Sequence, residues 1–177
     1  DIQGEGSATP LAGQQLTTQG VVVGDFQESN QLRGFFLQDL NGDRNRSTSD
    51  GLFVFTPSGF PVNVGDYVQV TGIAREFFDL TQLDTVTDLE LCATGLSKRP
   101  APLFLPVDEV SRLESYEGML VKFFQPLTVT ETFNLGRFGE VSLSAFGRLY
   151  HPNNGNYLGE STVTNPLRRI LLDDASN

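Results

Sequence analysis

The stretch GFFLQDLNGDRNRSTSDGLFVFT, residues 34–56, decides the fold. Two short apolar runs rich in aromatic residues, 34–40 and 51–56, flank a polar segment of Asn, Asp, Gly and Ser, the residues that favour turns. Such a pattern predicts a β-hairpin with a long loop. Strand alternation sends Phe53 and Phe55 to one face and puts Phe35 and Phe36 on opposite faces. In a chain without Trp, Phe53 and Phe55 are expected to build a barrel core, and Phe36 is a candidate for an exposed ring.

Outward from this hairpin, further runs at 16–26, 66–78, 80–86 and 88–95 read as strands, with the turn NVGD at 63–66 before the second of them. No segment sustains a helical period. Pro100, Pro102 and Pro106 then prevent a central strand and release into one short helix over 107–113. A second strand set follows at 117–133 and 139–150, opening on a Gly and a β-branched run as the first does at Gly20 to Val23, and RRILLDD at 168–174 reads as one more strand. The expected fold is all-β, an antiparallel barrel over 1–97, a Pro-rich linker with a short helix over 98–117, and a second, partial β domain over 118–177. The ending within an unfinished strand set points to a larger protein.

With 12 Lys and Arg against 22 Asp and Glu, the 177-residue chain carries a net charge of −10, which repels a phosphate backbone at long range. One Cys removes disulfides and Cys-rich metal sites, and one His, His151, in an Asn- and Gly-rich loop, leaves a nucleophile without a positioned base. No apolar run is long enough to span a membrane and no signal peptide is visible, so a soluble chain is expected.

Two groups of residues could carry binding chemistry. In the loop DLNGDRNRSTSD, Asp39, Asn41, Asp43, Asn45, Ser47 and Asp50 fall at positions 1, 3, 5, 7, 9 and 12 of a calcium-loop spacing. Arg44 where the EF-hand has Gly, Asp50 in place of Glu and the flanking strands exclude an EF-hand, leaving either a structural Ca2+ loop or a polar loop whose side chains cap turns. The second group pairs cations with rings: Arg33, Arg44 and Arg46 around the hairpin with Phe36, and Arg75 with Phe77 at the end of another strand. The alternative reading of these cations is a solvated face. Arg168 and Arg169 beside Asp173 and Asp174 read as an ion-paired edge strand.

In PLAGQQLTTQGVVVGDFQ, the hairpin itself, VNVGDYVQVTGIAREFFDLTQL and the closing RRILLDDASN, the chain resembles the region preceding the catalytic domain in secreted bacterial nucleases of the endonuclease/exonuclease/phosphatase superfamily. The resemblance spans most of the chain. It implies an oligonucleotide/oligosaccharide-binding (OB) fold, an extracellular setting, a DNA or RNA partner, and a catalytic domain elsewhere on the parent chain. The metal-dependent active site of that superfamily, with its paired His residues, cannot be assembled from one His, so a non-catalytic accessory role is expected. The competing expectation is a calcium-stabilised structural or carbohydrate-binding spacer.

Overall fold

The computed structural model describes residues 2–154 and 161–175. The chain is mostly β. It divides into two compact units, the first comprising residues 1–101 and 113–121, the second 102–112 and 122–177.

In the first unit, β1 (Gln15–Phe26), β2 (Gly34–Gln38), β3 (Gly51–Phe55), β4 (Tyr67–Phe77) and β5 (Leu80–Ala93) close into a ring in the order β1-β2-β3-β5-β4. The long β1 makes closure possible. Its first half pairs with β4 from Gln15↔Ile73 to Val21↔Tyr67, and its second half pairs with β2 from Val21↔Gln38 to Phe26↔Gly34. One pairing, β3 with β5 at Phe53↔Gln82 and Val54↔Leu83, is parallel, so the ring is not wholly antiparallel as expected. The runs 80–86 and 88–95 form one continuous strand, because β5 bends around Thr85, at φ 47, and stays paired with β4 on both sides of the bend.

The interior holds Val22, Phe35, Leu37, Leu52, Val54, Val68, Val70, Ala74 and Leu83, with Val62 from the β3–β4 connection. Fully burying each large side chain among these stabilises the fold by about 1.5–3 kcal/mol. The expected burial holds for Phe53 and is corrected for Phe55, which stays partly exposed. Leu52 and Val54 point inward, so alternation turns Phe53 and Phe55 outward. Phe53 is nevertheless only 3% exposed. Its ring lies over Gly34, where a Cβ would come within 2.5 Å of Phe53 Cζ.

After β6 (Ala101–Leu103) the chain runs through a 3₁₀-helix at Val110–Tyr116, in place of the helix expected over 107–113, into β7 (Val121–Phe123), which pairs with β6. The second unit carries β8 (Leu127–Glu131), β9 (Val141–Ala145) and β10 (Arg169–Leu172) as a sheet in the order β10-β9-β8. Two single-turn helices, α1 (Leu135–Phe138) and α2 (Thr164–Leu167), interrupt it where no helix was expected. The part of the tail at 155–160 lies outside the described residues. Among the described residues no helix is long and apolar enough to cross a membrane.

Candidate nucleic-acid interface

The outward side of β1, β2 and β3 gathers aromatic rings. Phe26 meets Phe36 edge-on at 5.8 Å, Phe36 lies tilted on Phe53 at 5.0 Å, and the Arg33 guanidinium sits 6.0 Å from the Phe55 ring centre. The register explains the row, since Phe36 stands opposite Gly24 on one side and Phe53 on the other. Phe26, Phe36 and Phe55 remain partly exposed, and Arg33, itself in a left-handed conformation at φ 60, is exposed. The side chain of Gln27 fixes the neighbouring loop: it donates to Thr56 Oγ1 at 2.9 Å and Phe60 O at 3.1 Å, and its Oε1 accepts the Val62 N–H.

The lower end of the same face is occupied by the chain itself. Segment 113–121 returns to the first unit, and Glu117 and Gly118 lie against Gly51, where a Cβ would come within 2.6 Å of both their carbonyl oxygens. Ser49 donates to Glu117 O at 2.6 Å, the buried Gln38 accepts Leu120 N–H at 3.0 Å, and Gln3 donates to Gly51 O at 2.8 Å. The Glu117 carboxylate accepts the Thr81 N–H at 2.7 Å and the Gln3 amide at 3.4 Å. Burial pushes its pKa up to about 6 against a usual 4.5; the Thr81 and Gln3 hydrogen bonds oppose the shift, while Glu114 and Glu76 add to it. Glu76 accepts from Thr9 N–H and the Thr81 hydroxyl through Oε1, and its buried Oε2 has no hydrogen-bond partner.

The residues singled out in the sequence fall into three places. Arg33 and Phe36 belong to the aromatic face. Arg44 and Arg46 are exposed in the 39–50 loop beyond the other end of β2, so the five-residue strand, roughly 17 Å long, separates them from Arg33. Arg75 is ion-paired with Asp84 at 2.8 Å. Phe77 is exposed at the β4–β5 hairpin tip beside Phe78, whose ring is 91% exposed and meets it edge-on at 4.7 Å.

In the loop, the oxygens with calcium-loop spacing are engaged with the backbone. Asp39 Oδ1 accepts the N–H of Asn41 and Gly42, Asp43 Oδ1 that of Asn45, Asn45 Oδ1 that of Ser47, and Asp50 Oδ1 that of Asp43. These are the turn-capping bonds of the polar-loop reading. Lys98 adds its ammonium to the Asp39 and Leu40 carbonyls at 2.5 and 3.1 Å. Asp39, Asp43 and Asp50 do line one side of a cavity of about 360 Å³ beside Leu16, Thr17 and Leu52. Among the described residues, however, no three His, Cys, Asp or Glu side chains form a group able to hold a metal ion.

Sequence reasoning missed Glu117 and the stacked pair Phe104 and Phe124 in the second unit. Alternation in PLFLP, which buries Leu103 and Leu105 and turns Phe104 out, is the signal that could have found the latter. No protein-family model, no curated protein and no solved structure matches this chain.

Proposed function

We propose that the first unit is an OB-type barrel, the second a partial one, and that the chain is a non-catalytic accessory module of a secreted bacterial nuclease, presenting DNA or RNA to a metal-dependent phosphodiesterase domain of the same parent chain. The observation that carries this reading is the partly exposed row Phe26, Phe36 and Phe55, backed by the buried Phe53, with Arg33 over its end. OB barrels bind oligonucleotides on the face of strands 2 and 3, where bases stack on aromatic rings and cations track the backbone. The ring order β1-β2-β3-β5-β4 supports the barrel type.

The test is fluorescence anisotropy of labelled single-stranded and double-stranded oligonucleotides across a salt titration. Affinity falling with salt is expected, with Phe36→Ala weakening it about tenfold through lost stacking and Arg33→Ala lowering the salt slope by about one phosphate contact. Absence of binding at low salt would refute the reading.

A calcium-stabilised structural or carbohydrate-binding spacer is the second reading, favoured by the charge of the first unit. Residues 1–101 and 113–121 hold 6 Lys and Arg against 15 Asp and Glu, a net −9. Millimolar calcium raising the melting temperature of a protein that ignores oligonucleotides would establish it.

A further inference from the structure

The charge is divided unevenly between the two units. Residues 102–112 and 122–177 hold 6 Lys and Arg against 7 Asp and Glu, a net −1 beside the −9 of the first unit. Among the described residues, three of those cations lie over aromatic rings: Lys122 at 5.1 Å from the Phe124 centre, Arg137 at 4.9 Å from Phe138, and Arg148 at 5.9 Å from Tyr150. Taken by itself, this unit offers a polyanion far less repulsion than the first does.

The first of these sites is built on fixed backbone. Phe104 and Phe124 lie at 6.3 Å and 24° to one another, 55% and 63% exposed. Leu103 and Leu105, on either side of Phe104, are buried and anchor that strand end. The Gln125 side chain clamps it from the next residue along, accepting the Leu105 N–H at 3.2 Å and donating to the Leu105 carbonyl at 2.6 Å. Both rings are thereby held open to water, although burying either would be favourable.

We propose that Phe104, Phe124 and Lys122 form a binding platform for the unstacked bases of a single-stranded nucleic acid, with Lys122 meeting the adjoining phosphate. This rests on the nucleic-acid reading above and relocates part of the contact from the acidic barrel, whose aromatic face is closed at one end by residues 117–120, to the near-neutral unit. Stacking is indifferent to base identity, and a duplex offers no free base faces. Single strands bind in preference to duplex, with little sequence preference. Lys122 favours a phosphate-bearing ligand over a neutral sugar.

The experiment uses the whole chain with 5-iodouracil-substituted oligo-dT and oligo-rU, photo-crosslinked and mapped by mass spectrometry, alongside anisotropy titrations of Phe104→Ala, Phe124→Ala and Lys122→Glu. Far-ultraviolet circular dichroism and melting check that each variant is folded. The expected result is crosslinking within 104–124, affinity roughly 5- to 150-fold weaker for each Phe variant, and a smaller salt slope for Lys122→Glu. The oligo-dT and oligo-rU arms identify the nucleic acid. Binding that persists in these variants with crosslinks confined to Phe36 and Phe55 overturns the platform and leaves the proposed function standing. Failure of the unaltered protein to bind either oligonucleotide overturns both, as does stacking of cellohexaose on the two rings in its place.

Discussion

Replacing the half-buried carboxyl that fastens segment 113–121 isolates the electrostatic cost of that contact. A carboxyl whose folded pKa is about 6 against 4.5 keeps its proton more tightly in the folded protein than in the unfolded chain. Stability from this group is therefore fully present below pH 4.5 and is lost as pH rises through 6. At 1.36 kcal/mol for each tenfold change in proton affinity, the difference sets a ceiling of about 2 kcal/mol, and solvent screening of this half-exposed group brings it to about 1 kcal/mol. Glu117→Gln keeps an oxygen for the Thr81 N–H and the Gln3 amide while removing the charge that burial, Glu114 and Glu76 all disfavour. The variant is expected to be more stable than the parent by about 1 kcal/mol at pH 8, a rise of roughly 4 °C in the melting temperature of the first unit, and to match the parent or fall slightly below it at pH 4. Calorimetry of both proteins from pH 4 to 8 reads the difference. A loss of stability at pH 8 equal to that at pH 4 would refute the reasoning, since it would mean that the Thr81 and Gln3 hydrogen bonds favour the ionised carboxyl as much as burial opposes it.

Two further substitutions probe the scaffold. Gly51→Ala drives a methyl group into the backbone of Glu117 and Gly118 and is expected to lower stability by roughly 1–3 kcal/mol in urea unfolding, whereas Gly6→Ala, with nothing within 4 Å of the added carbon, is expected to leave the urea midpoint unmoved or slightly higher. At the β4–β5 tip, Phe78 and Asp79 stand at φ 50 and 61, a turn for which Asn-Gly is the favoured pair. The double change Phe78→Asn with Asp79→Gly is expected to stabilise the protein by about 1 kcal/mol, and a fall in the urea midpoint would show that the Phe77–Phe78 contact outweighs the backbone strain.

The strands of the first unit were legible because their signals are local. Alternation in β4, with Val68, Val70 and Ala74 inward, and the turn residues on either side of β2 and β3 mark elements without reference to the rest of the chain. Which way a strand faces was less legible. In GLFVF every residue is apolar or Gly, so the period shows that alternate residues differ in environment without showing which set is inside, and only the pairing of Leu52 with Leu37 and of Val54 with Phe35 settles it. The division of 80–95 into two strands failed for a related reason: Asp84, Thr85 and Asp88 look like turn residues, yet the chain only bulges at Thr85 and pairs with β4 again at Asp88, so the strand continues. Glu117 carries no mark in the sequence at all. Its environment comes from Gln3, Ser49 and Thr81, three residues far from it along the chain.

The same non-local assembly changes how the net charge bears on function. A charge of −10 spread evenly over the chain would oppose phosphate binding everywhere, and on that basis the composition weighs against a nucleic-acid module. Counted by unit, −9 of it belongs to the first and −1 to the second, so the second unit taken by itself opposes binding little. The Debye length is about 8 Å at physiological ionic strength, so exposed carboxylates farther than that from a bound phosphate are largely screened. A short-range site with its own cation and rings then binds by what lies within a few ångströms, as Lys122, Phe104 and Phe124 do for one another. Low salt, which usually strengthens such binding, also lengthens the reach of the chain's carboxylates. The affinity of this chain for a single strand is therefore expected to fall less steeply with added salt than its local cations alone dictate, because salt weakens the repulsion together with the attraction.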